Sequence, residues 1–180
     1  MAKRPSRAKP AASDAAKSES KPASEPDASE REPERSPAAP ASDEALVRKH
    51  LAFGWWALGV FTLIGLLLEA AHGLKVGWYL DLSNATRRLA MTLGHAHGTL
   101  LGLVNIAFAV SLKHTRLSPT ALARASIALR AATVLMPAGF LFGGMFVYAG
   151  DPGLAIVLVP PAGVLLVIAC IVVARGLRRS

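Results

Sequence analysis

The chain has 180 residues, of which 52% are hydrophobic and 18% charged, with a formal net charge of +8. The apolar residues fall in four blocks after residue 50, and residues 1–42 contain no Leu, Ile, Val, Phe, Trp or Tyr. That distribution excludes a single soluble globular domain and also a wholly disordered chain. The charge is split as well: residues 1–44 carry eight Lys/Arg against nine Asp/Glu, and residues 45–180 carry twelve against three. The positive excess lies between the apolar blocks, where it reads as topology and headgroup contact rather than as a nucleic-acid surface. A lone cysteine, Cys170, sits inside an apolar run and cannot form an internal disulfide.

Residues 1–44 form the first region, rich in Ala, Pro, Ser and mixed charge, with seven prolines between Pro5 and Pro40. Such a segment cannot bury enough apolar surface to offset its conformational entropy, so a disordered tail is expected. It has a basic start but no apolar run behind it, so it does not read as a secretory signal. The remainder, 45–180, is expected to be a transmembrane domain.

A bilayer core of roughly 30 Å takes about 20 helical residues. The first span is expected over residues 51–71 and carries Glu69 near its end, with His72 one turn on. An outer loop follows, with Trp78 and Tyr79 as interfacial anchors. The second span, 89–112, contains His95, His97 and Asn105. Its Gly94, Gly98 and Gly102 recur every four residues and stack on one face, which lets another backbone approach closely. The third span, 131–149, has a helix that can start as early as Thr120, and it repeats the small-residue spacing at Gly139 and Gly143. The fourth, 154–174, contains Pro160 and Pro161, which are expected to kink it. The blocks are continuously apolar rather than alternating, so helices and not barrel strands are predicted. Short connections then make an all-α, up-down four-helix bundle.

Orientation follows from the flanks. Nine Lys/Arg lie on the side of the termini and three, Lys75, Arg87 and Arg88, on the other. The positive-inside rule then puts both termini in the cytoplasm.

Ionisable residues within spans are costly and mark interiors or water-filled cavities. Glu69 and His72 are three apart and share a helix face. His95 and His97 lie about 10 Å below the outer surface. All four are expected at one depth, with Asn105 in support. On a helical wheel His95 and His97 point about 160° apart, so they are expected to serve two faces. Three readings of the cluster stay open. One is a haem or transition-metal site using His72, His95 and His97, with Glu69 as a further metal ligand. Another is a proton, quinone or small-solute site. The last is plain packing, in which Glu69 and His72 are interfacial groups reaching headgroups and His95 and His97 form interhelical hydrogen bonds. Separately, Gly94, Gly98, Gly102, Gly139 and Gly143, with Asn105, are expected to pack the bundle or join it to a second copy or other membrane subunits. The lipid bilayer is the expected partner, and no nucleic acid is expected. There is no Gly-rich phosphate loop, no Cys-x-x-Cys and no embedded Ser beside a base, so soluble-enzyme catalysis has no support.

The stretches LEAAHGLKVGWYLDLSN and TRRLAMTLGHAHGTLLGLVNIAFA resemble a family of small four-helix bacterial inner-membrane proteins with an HAHG motif in the second span. The resemblance covers roughly residues 50–175 and implies topology, without an activity. The same step is similar to the histidine-bearing helices of haem-copper oxidase and nitric-oxide-reductase large subunits. Four spans with no buried histidine in the third or fourth cannot hold that centre.

Overall fold

The computed structural model describes residues 39–81 and 85–178, with side chains from Glu44 onward. It is helical throughout, with no strand among the described residues: α1 (Ala39–Gly73), α2 (Ala85–Ser111), α3 (Pro119–Met145) and α4 (Val159–Leu177). All four helices, α4 taken with the 3₁₀ turn before it, are long and apolar enough to cross a membrane.

The boundaries show what local chemistry does. α1 begins well before the expected span, because Ser42–His50 supplies mostly good helix formers and no breaker. Residues 39–44, assigned to the tail from sequence, therefore belong to α1; the rest of the tail lies outside the described residues. α1 ends in a Schellman motif. Val76 N–H donates to the Ala71 carbonyl and Lys75 N–H to the His72 carbonyl, with Lys75 in the left-handed region at φ 54°. α3 starts at a Ser-Pro cap: Ser118 is extended, its hydroxyl accepts from Ala121 N–H at 3.3 Å, and Pro119 takes the first helical position. α3 ends at Met145, short of the expected 149. The chain then turns between Tyr148 and Asp151, whose backbones exchange two hydrogen bonds, with Ala149 and Gly150 both at positive φ.

Pro160 and Pro161, expected to kink the fourth span from within, stand instead at the start of its α-helix. Residues Leu154–Leu158 form a 3₁₀ turn, and the two prolines fall in the first turn of α4. There the missing N–H groups have no intrahelical partner to lose.

α2 and α3 are the central pair. Burial of the most apolar window is 50% in α3 and 39% in α2, against 11% in α4 and 6% in α1. α4 packs into the α2–α3 seam through Ala162 and Ala169, against Leu101, Met136, Phe108 and Leu129. α1 lies antiparallel on α2. At the end away from the termini, Leu68, Tyr79 and Met91 form a small cluster, so Tyr79 is buried packing rather than an interfacial anchor. Trp55 and Trp56 are largely exposed on α1, as interfacial residues are.

The glycine stripe of α2 is used within the chain. A Cβ on Gly102 would lie 2.8 Å from the Leu58 backbone nitrogen, and one on Gly54 2.8 Å from the Gly102 carbonyl. Gly98 accommodates the Phe61 ring, and Gly94 the Leu141 side chain of α3. Gly139 seats Val159 at the start of α4, while Gly143 makes ordinary contact with Ile156.

Candidate functional site

The α1–α2 register sets the site. Gly102 meets Leu58, Gly98 meets Phe61, and Gly65 meets His95, so facing positions sum to about 160. That register puts Glu69 level with Thr92 and His72 level with Arg88. The polar residues at these positions form two facing stripes. On α1, residues 62, 65, 69 and 72 are Thr, Gly, Glu and His, spaced to share one face. On α2, residues 88, 92, 95 and 99 are Arg, Thr, His and Thr, again on one face.

All eight line one groove of about 1080 Å³ between the helices at the end away from the termini. From Arg88 to Thr99 it descends about 16 Å at 1.5 Å per residue. Halfway down, His95 is half-buried against Gly65: a Cβ there would lie 2.6 Å from its Nδ1. That buried Nδ1 has no hydrogen-bond partner. Glu69 and His72 are exposed at the upper level. The Thr99 hydroxyl donates to the His95 carbonyl at 2.9 Å.

Glu69, His72 and His95 are thus brought to one groove, and His97 is not. Its ring stacks on Phe140 of α3 at 5.0 Å, and its Nδ1–H donates to the Leu93 carbonyl at 2.8 Å. Among the described residues no three His, Cys, Asp or Glu side chains gather where a metal ion could sit, so Glu69, His72, His95 and His97 do not form one ligand set. Arg87, beside Arg88, also turns away: its guanidinium donates to the Trp78 carbonyl at 2.7 Å and lies over the Trp78 ring. Tyr148 and Asp151 share the same end of the bundle but lie in the α3–α4 turn, which the Thr86 hydroxyl ties to α2 through the Gly150 carbonyl.

Asn105 does not support the outer cluster. It belongs to a buried polar network at the opposite end, built on His50, which has no exposed surface. Asn105 Nδ2 donates to the Leu101 carbonyl and to Thr133 Oγ1, both at 2.8 Å, which turns its Oδ1 toward His50. His50 Nδ1–H donates to that oxygen at 2.9 Å, and its Nε2 accepts from the Ser126 hydroxyl at 2.8 Å. Thr133 completes the chain by donating to the Leu129 carbonyl. Phe108 closes the side, edge-on to the imidazole at 4.6 Å. The network joins α1, α2 and α3 with every donor used.

Sequence reasoning missed His50 because it precedes the expected span, next to Arg48 and Lys49, where it reads as a solvated flank. It also missed Thr62, Thr92 and Thr99, although their helical spacing to Glu69 and His95 was readable. Comparison with protein-family models, with curated proteins and with solved structures finds no match for this chain.

Proposed function

We propose that this is a multi-pass protein of the bacterial cytoplasmic membrane, with both termini in the cytoplasm. It takes a small ligand with a polar head into the α1–α2 groove from the outer side. The observation that carries this reading is the pair of facing polar stripes, with the partnerless Nδ1 of His95 halfway down. Polar side chains on a lipid-exposed wall are costly, and two matched rows of them are stable where water or a polar ligand lies between. Threonines and His95 supply hydrogen bonds along the walls, while Arg88, His72 and Glu69 offer both charge signs at the mouth.

Cysteine scanning tests this. In a Cys170→Ser background, Thr92→Cys and Thr99→Cys should react with a membrane-impermeant thiol reagent added outside intact cells. Val167→Cys, on the exposed face of α4 and outside the groove, should not. Equal protection of all three positions would end the proposal.

A second reading is haem ligation, favoured because His72 and His95 line one groove from facing helices. A Soret band in detergent-purified protein, lost in His95→Gln, would establish it.

A further inference from the structure

We propose that a second cleft, between α1 and α3, holds an acyl chain of an anionic phospholipid from the leaflet on the side of the termini, with its phosphate at Arg130. This cleft of about 290 Å³ is separate from the polar groove and is walled by Phe53, Ala57 and Phe61 of α1 and Val134, Ala138 and Phe142 of α3. In an up-down bundle α1 and α3 run parallel, so the cleft follows both axes. Arg130 stands one turn before Val134 on the same α3 face. Its guanidinium carbon lies 5.3 Å from the centroid of the Phe53 ring, at the head of the cleft.

Arg130 Nε is buried and has no hydrogen-bond partner. A desolvated guanidinium N–H calls for an anionic acceptor, and a phosphodiester fits its forked geometry. Helical spacing sets Lys49 one turn before Phe53, which gives the head of the cleft a second cation. The carboxylates Glu69, Asp81 and Asp151 all lie at the other end of the bundle, and Glu44 stands nine residues before Phe53. Among the described residues these two cations have no carboxylate at the head of the cleft, which favours a net anionic headgroup over a zwitterionic one. The length agrees as well. Arg130 to Phe142 spans about 18 Å along a helix, close to one leaflet of a hydrocarbon core roughly 30 Å thick. A helix from a second copy would fill the apolar walls but leave the guanidinium unpaired.

The test is native mass spectrometry of the full chain, extracted from vesicles of equal phosphatidylglycerol and phosphatidylcholine with identical acyl chains. The wild-type protein should retain phosphatidylglycerol preferentially. Arg130→Gln should cut that retention at least fivefold, and Arg130→Lys should keep part of it. Arg124→Gln, an exposed cation one and a half turns earlier on α3, should change nothing. Ala138→Phe, which fills the cleft, should reduce retention with Arg130 intact, and if that variant fails to accumulate, Val134→Trp serves instead. Equal retention of the two lipids by the wild type would overturn the proposal, as would full retention by Arg130→Gln. Loss of a dimer in the cleft-filling variant with lipid retention unchanged would assign the cleft to a second copy.

Discussion

At Lys75 the backbone adopts a conformation that side chains resist. Its φ of 54° closes the Schellman motif of α1, where glycine is the usual residue, while the glycines at 73 and 77 fall on either side. A left-handed residue with a Cβ costs roughly 1–2 kcal/mol, and part of that returns as unfolded-chain entropy when glycine replaces it. Lys75→Gly should therefore stabilise the protein by about 1 kcal/mol, read as a higher midpoint of thermal unfolding in detergent. A lower midpoint would mean that the lysine side chain contributes more than its backbone costs. The opposite sign is expected at His50. Replacing it with Leu leaves Asn105 Oδ1 and the Ser126 hydroxyl without their partner in a site with no solvent access. A buried group left unpaired costs about 1–3 kcal/mol, so His50→Leu should lower the midpoint although it adds apolar volume. Neither position was legible in the sequence. With glycines at 73 and 77 on either side, nothing in the sequence singles out Lys75 as the left-handed residue, and a histidine in a run of cations looks solvated until two other helices close over it.

At the scale of elements, more could be read in advance. The four apolar blocks are the four helices, because continuous apolarity over about 20 residues has few other solutions in a chain without alternation. The glycine stripe of α2 was visible too, and so was the divergence of His95 from His97. What no single block can show is register. Only when Gly98 seats Phe61 and Gly102 meets the α1 backbone do Thr62, Glu69 and His72 align with Thr99, Thr92 and Arg88. The same dependence makes Gly98→Leu a test of the site as well as of packing. There is no room beside Phe61, so α1 should be pushed off α2 and reagent access at Thr99→Cys should change with the loss of stability. Histidine substitutions separate the two histidine faces. His72→Gln and His95→Gln should accumulate normally yet fail to complement deletion of the gene, whereas His97→Gln, stacked on Phe140, should lower stability by at most about 1–2 kcal/mol and complement. Complementation by the His72→Gln, His95→Gln double variant would leave the groove without a role.

At the scale of the whole molecule, α1 and α4 flank a central α2–α3 pair and make no extended contact with each other among the described residues. Their outward faces are apolar, with Leu63 and Leu67 on α1 and Val164, Val167 and Ile168 on α4 exposed, as surfaces against lipid chains are. The two functional proposals then occupy opposite leaflets: a polar groove opening away from the termini, and an apolar cleft headed by cations beside them. Orientation decides which compartment each one meets. Of the Lys/Arg in residues 45–180, nine flank the terminal side and three the other. On that imbalance the termini are proposed to be cytoplasmic. A reporter active only in the periplasm should be silent when fused after Ser180 and active when inserted after Gly77 in the α1–α2 connection, and a cytoplasm-only reporter should show the reverse. Periplasmic activity at Ser180 would turn the groove toward the cytoplasm, and its ligand would then have to be a cytoplasmic one.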